Sequence, residues 1–264
     1  TLTVNSDITL PYEWWGENTT TSISFEDLTI TGSAPNGLYP YQAYFDGINF
    51  TVDNCTLKGI KIYNCANVGG SYTITNSTLD GTGAAKDAYA IHLQGNETAP
   101  LNITISGNEI SGYDRGINID QKTANATISG NAISVNDSGR SCIQLTQLAT
   151  TEIKGNTLAL DGGNAFTLHE NLRALTAAPE ISISGNTITG TGYLIYDDAA
   201  ANGTAFTADT LNLTYGTNTV DSTVDTTKGV KDSTVVEAGS AVQDAIKGTT
   251  SNAVTTSEEL ADAI

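Results

Sequence analysis

Ile128-Ser129-Gly130-Asn131-Ala132-Ile133 is the stretch that decides the fold, because it recurs. Working outward, the same pattern appears as Ile105-Ser106-Gly107-Asn108-Glu109-Ile110, Ile153-Lys154-Gly155-Asn156-Thr157-Leu158 and Ile183-Ser184-Gly185-Asn186-Thr187-Ile188. Looser copies precede them at Ile74-Thr75-Asn76-Ser77-Thr78-Leu79 and Val52-Asp53-Asn54-Cys55-Thr56-Leu57, with a degenerate copy from Phe25 to Ile30. The steps between first positions are 27, 22, 31, 23, 25 and 30 residues.

A second short run follows each copy: Ile60-Lys61-Ile62, Ile91-His92-Leu93, Ile117-Asn118-Ile119, Ile143-Gln144-Leu145, Phe166-Thr167-Leu168 and Leu194-Ile195-Tyr196. Alternation with period 2 sends the outer pair inward and the middle residue to solvent. The steps are too short for strand, crossover helix and strand. They suit one rung of a solenoid built from short strands and sharp turns. The glycines mark turns that penalise a Cβ. The asparagines after them stack at about 4.8 Å per coil, so their amides form a ladder. Towards the N-terminus the ladder positions become Ser77, Cys55 and Leu28, and the ladder should fade there.

The expectation is an all-β, right-handed parallel β-helix of about seven coils, a rod of about 34 Å, with short helical elements near the C-terminus. These rungs resemble the pectate-lyase-like superfold of bacterial secreted and surface proteins, whose members share Ile-x-Gly-Asn-x-Ile rungs and an internal Asn ladder. The resemblance spans roughly residues 20–214. It implies the fold; the superfold hosts lyases, hydrolases, epimerases, adhesins and phage spikes, so function rests on the site.

Residues 1–214 are read as the β-helix with an aromatic-rich N-terminal end, carrying Trp14 and Trp15. That end is either a lid over the first coil or a stacking platform for sugar rings. Residues 215–264 are read as a C-terminal cap or the start of a further module. Two stretches there, Val235–Ile246 and Ala253–Ile264, align as short extended pieces followed by amphipathic helices. The chain is expected to act as a monomer or as part of a longer multidomain protein.

Only 15% of residues are charged, and 29 acidic side chains against 11 basic ones give a net charge of −18. Such a surface repels nucleic acid and anionic membranes, and opposes a polyanionic substrate unless a basic patch overrides it locally. No 18-residue apolar run occurs, so membrane insertion is not expected. The absence of methionine and of a signal-like start is compatible with a trimmed, secreted or cell-surface protein. Of three cysteines, Cys55 and Cys65 pair if adjacent coils bring them together, leaving Cys142 over; buried free thiols are the plainer reading. Asn-x-Ser/Thr sequons, at Asn76, Asn96, Asn102 and Asn202 among others, are weak evidence for glycosylation in so Asn- and Thr-rich a chain.

Two outward columns follow from the second runs. One holds Lys61, His92, Asn118, Gln144, Thr167 and Ile195; the other holds Tyr63, Gln94, Asp120, Thr146, His169 and Asp197. The two longest steps insert loops beside this face, at residues 94–101 and 169–180, where a solenoid usually binds. The candidate ligand-binding residues are therefore His92, Arg115, Asn118, Glu170, Arg173 and Asp198, with Trp14 and Trp15 as a rival surface. Arg115 and Lys122 supply local positive charge. Asp120, His169 and Asp197 are the candidate catalytic set if the protein is an enzyme, since a glycoside hydrolase needs two carboxylates about 5–10 Å apart. A lyase needs a base and usually Ca²⁺; otherwise no cofactor or metal is expected. The Asn-Thr-Asp, Gly-His-Gly and Arg-Ile-Lys signatures of polygalacturonases are missing. Hydroxyls at Thr73/Thr75, Thr104/Ser106, Thr127/Ser129 and Ser182/Ser184 also raise ice or crystal-surface binding, but Glu152 and Lys154 interrupt that array. The reading is a binding or structural module for a polysaccharide or host or cell-surface glycan. The alternative is a lyase or hydrolase.

Overall fold

A computed structural model describes residues 2–4, 8–9, 22–32, 38–39, 46–66, 68–84, 88–95, 100–135, 140–198, 203–207 and 209–226. Trp14, Trp15 and the paired stretches at 235–264 lie outside the described residues. The expected right-handed parallel β-helix is the fold. One face is an eight-stranded sheet running from Ser22–Glu26 through Asp46–Asp53, Val68–Thr75, Leu101–Ser106, Ala124–Ser129, Thr150–Lys154 and Glu180–Ser184 to Asn212–Tyr215. Each successive pair is parallel and in register, as in Ile105↔Ile128 and Ile128↔Ile153.

The chain bends after each of the first seven of these strands at the third position of the repeat. Gly107, Gly130, Gly155 and Gly185 have φ between 63° and 66°, and Asp27, Asn54 and Asn76 take the same left-handed conformation at φ 50–55°. Asn and Asp visit that region more readily than other residues with a Cβ, so the looser copies make the same bend.

The two further faces of each coil join into a 16-stranded sheet, because Thr157–Leu168 and Thr187–Asp197 run unbroken across the corner between them. Inward side chains form a single apolar core of stacked Ile, Leu and Val with Phe50, Tyr72 and Phe166. The ladder lies inside it. Asn131 donates from backbone N and Nδ2 to Asn156 Oδ1, both at 2.9 Å, and Asn156 does the same to Asn186. Each Nδ2 also reaches back to a carbonyl two coils away from the amide it meets ahead, as Asn156 does to Ile128 O at 2.9 Å. At the N-terminal side Asn108 Oδ1 accepts from Ser77 N, and Ser77 Oγ accepts from Cys55 N. The ladder thus fades where expected.

It also extends further than expected. Asn186 donates to Asn218 Oδ1, which lies in Tyr215-Gly216-Thr217-Asn218-Thr219-Val220, an eighth copy. Gly216 stands one place early there, which hides the motif.

Cys55 and Cys142 are buried and free, so the Cys55–Cys65 pairing is not formed. The outer face of the first sheet explains the sequons at Asn102, Asn125 and Asn212. Asn102, Asn125 and Asn212 share one column, and Thr104, Thr127 and Thr214 the next. An Asn-x-Thr triplet is simply two outward residues of one strand.

Candidate functional site

The face that carries the candidate residues is built by Ile62–Ala66, Tyr89–Gly95, Arg115–Asp120, Ser141–Gln147 and the second halves of Thr157–Leu168 and Thr187–Asp197. Register makes one outward column of Tyr63, His92, Asn118, Gln144, Thr167 and Tyr196. Two expected members are corrected. Ile62 pairs with Ile91, so Lys61 falls at the corner rather than in the column. At the other end Ile195 pairs with Phe166 and is buried, so Tyr196 takes the outward place. Asp197 moves with that frame: it is in register with Leu168 and only 1% exposed. It therefore supplies no carboxylate to the open face beside Asp120.

A second column, three residues earlier in each coil, holds Tyr89, Arg115, Ser141, Asn164 and Tyr193. Gly116 lets these strands close up, since a Cβ there would lie 2.1 Å from Cys142 O. Between the two columns a cavity of about 270 Å³ opens. Arg115, Arg140, Gln144 and Asn164 line one part of it, and His169, Tyr193, Tyr196 and Asp198 the other. A larger groove of about 450 Å³ crosses the outer face of the first sheet, over Asn125, Thr150, Glu152 and Glu180. Its lining is mostly threonine and asparagine with two glutamates, and includes no aromatic ring and no cation, so it offers less to grip.

Hydrogen bonds hold the cavity wall in one arrangement. Arg115 lies over the Tyr89 ring at 4.9 Å, and its Nη1 donates to Tyr89 Oη at 2.8 Å. Tyr89 Oη donates to Gln144 Oε1 at 3.1 Å, Gln144 Nε2 to Thr146 Oγ1 at 3.0 Å, and Thr146 to Asn118 Oδ1 at 2.8 Å. A relay running in one sense fixes which way each amide points. Asn118 is thereby spent on structure, being 3% exposed.

His92 packs against the rings of Tyr63 and Tyr89, each 4.9 Å away. Burial, then the charges of Lys61 and Arg115, push its pKa down to about 4, so the ring is neutral. His169 precedes the 3₁₀ turn Glu170–Ala174, and its Nδ1 accepts from Asn171 N at 3.2 Å. That places its proton on Nε2, 3.6 Å from the Asp198 carboxylate. Asp198 also accepts from Glu170 N at 3.4 Å. Glu170 pairs with Arg173 at 3.6 Å, and Arg173 donates to Thr204 O. These two brace the loop and do not line the cavity. Asp120 is half-buried, and burial raises its pKa against the lowering effects of His169 and a Gln147 hydrogen bond.

Of the predicted residues, the structure gathers Arg115, His169 and Asp198 around the cavity. The sequence reading missed Arg140, Asn164, Tyr193 and Tyr196 as site residues. The signal for Asn164 and Tyr193 was available: both stand three places before a member of the His92 column, as Arg115 does.

Fold and face together define a parallel β-helix with a polar, aromatic-rimmed surface cleft. Residues 26–229 match the family described as Periplasmic copper-binding protein (NosD), and the chain belongs to that family. No curated protein and no solved structure shows detectable similarity to it. Membership places the chain outside the cytoplasm, in keeping with the secreted or cell-surface location expected. Among the described residues no helix is long and apolar enough to cross a membrane.

The family description calls for a test against copper, which favours thioether, thiolate and imidazole donors. The chain has no Met and two His. His92 is flanked by cations, and burial pushes the Cys142 thiol up to about 12 and raises that of Cys55. Among the described residues no three His, Cys, Asp or Glu side chains converge. The described side chains do not fit a copper centre.

Proposed function

We propose that this chain is an extracytoplasmic carbohydrate-binding β-helix module, and that the Arg115–Tyr196 cleft is its site. The observation that carries this is the pairing of two tyrosine rings, Tyr193 and Tyr196, with the oriented amide of Gln144, Asn164 and charged groups in one cavity. Aromatic faces cover the apolar faces of sugars, while fixed amides and guanidiniums meet their hydroxyls. At 270 Å³ the cavity is just below the usual small-ligand range of about 300–1,000 Å³, space for about one or two sugar rings of a longer chain. The partner would be a polysaccharide or a host or cell-surface glycan. A glycan array followed by calorimetry tests it: Tyr196→Ala should weaken the best ligand about tenfold or more without lowering the melting temperature. Undiminished affinity in that variant would sink the assignment of the site.

A second reading, as a hydrolase or lyase, draws on the half-buried Asp120 near His169, whose pKa burial shifts in the direction a general acid requires. Release of reducing ends or unsaturated uronates, abolished by Asp120→Asn, would decide for it.

A further inference from the structure

The protein contains three arginines, Arg115, Arg140 and Arg173, within a net charge of −18. Two of the three line the cleft, on neighbouring coils. The side chain best suited to gripping a carboxylate in a planar fork is thus concentrated at one spot of a surface that otherwise repels anions. Arg115 is held there by its stacking on Tyr89 and its hydrogen bond to the phenol oxygen, so its orientation is set before a ligand arrives.

The opposite end of the cleft has the opposite sign. Asp198 lines it beside His169, just beyond Thr187–Asp197. Three strand spacings, about 14 Å, separate that strand from the one that starts with Arg115. Tyr193 and Tyr196 belong to the Asp198 end. A chain with acid groups on every sugar would press a carboxylate against Asp198 when another reached the arginines. Such repulsion rejects wrong partners as effectively as attraction selects right ones.

Resting on the carbohydrate-binding reading above, we infer that the cleft selects a glycan in which a single carboxylate-bearing sugar adjoins neutral ones. The acid group sits at Arg115 and Arg140, and the neutral rings lie on the two tyrosines towards Asp198.

Calorimetry on the full chain tests this with four probes. These are a neutral oligosaccharide ending in glucuronic acid, the same oligosaccharide ending in glucose, an oligogalacturonate of equal length, and free glucuronate. The acid-ended probe should bind about tenfold or more tighter than its neutral twin, and tighter than both the oligogalacturonate and free glucuronate. Arg140→Gln should reduce the acid-ended probe to the affinity of the neutral one; if that variant does not fold, Arg115→Gln is read instead. Equal binding of the acid-ended and neutral probes, both weakened by Tyr196→Ala, overturns this inference and leaves the carbohydrate reading intact. Tightest binding by oligogalacturonate, or free glucuronate matching the oligosaccharide, also overturns it. No binding by any probe overturns both.

Discussion

Acid should weaken this fold through His92, by about 3 kcal/mol in all. The folded pKa of about 4 lies below the ordinary 6.5, so the native state prefers a neutral ring that the unfolded chain protonates readily. A depressed histidine pKa contributes stability above pH 6.5 and loses it as pH falls towards 4, because the unfolded state then binds the extra proton. The gap between about 4 and the ordinary 6.5, at about 1.4 kcal/mol per pH unit, gives a total of about 3–4 kcal/mol. About 2 kcal/mol of that is gone by pH 5 and about 3 by pH 4. Burial is the largest cause, so salt should shrink the effect only through the smaller Lys61 and Arg115 contributions. The assay is urea unfolding of the protein and of His92→Phe at pH 7.5, 6, 5 and 4.5. Carboxylates elsewhere titrate alike in both, so the difference between the two pH profiles isolates the imidazole. The variant should lose about 2 kcal/mol less than the parent between pH 7.5 and 5. Parallel profiles would refute the claim that a neutral, desolvated His92 sits between the tyrosines.

Three further outcomes follow from the coil. Asn156→Ala deletes four side-chain hydrogen bonds and leaves Ile128 O and Asn131 N without their partner in the core, so chemical unfolding should show a loss of roughly 3–5 kcal/mol. Gly130→Ala meets no atom closer than 3.9 Å but must hold φ +64°, so it should cost about 1–2 kcal/mol, and Gly130→Asn measurably less. Gln121 is fully buried and neither atom of its amide has a partner among the described residues, so Gln121→Met should raise the melting temperature, by about 1–2 kcal/mol of stability.

The architecture was legible because its determinants are local. An apolar-x-Gly-Asn-x-apolar hexamer dictates a bend, a buried amide and two inward residues wherever it falls, and counting its copies sets the register. Even the fading of the ladder at Ser77 and Cys55 follows from residue type alone. The eighth copy escaped because Tyr215-Gly216-Thr217-Asn218 keeps the amide but shifts the glycine. The second runs were harder to read, since corners break strict alternation. Leu194 and Ile195 are consecutive and both buried, as are Ala165 and Phe166 in the coil before. An alternating reading of Leu194-Ile195-Tyr196 therefore slips by one residue, and that slip alone carried Asp197 to the surface. The cleft was half legible. Arg115, His169 and Asp198 announce themselves as charged residues beside a long insertion. Tyr193, Tyr196, Asn164 and Arg140 come together only through cross-coil register, which no single segment encodes.

The ladder also makes the molecule editable in length. Every rung passes its amide forward in the same sense, so excising residues 131–155 would set Asn108 against Asn156 with donor and acceptor still facing each other. A shorter rod would close without a new kind of junction, and a duplicated coil would lengthen it by the same rule. The proposed cleft is not interchangeable in that way, because that excision removes Arg140 and Gln144 from its lining. If the proposed cleft is the binding site, rod length can change outside the coils between Arg115 and Asp198, while those coils have to be kept together as a block.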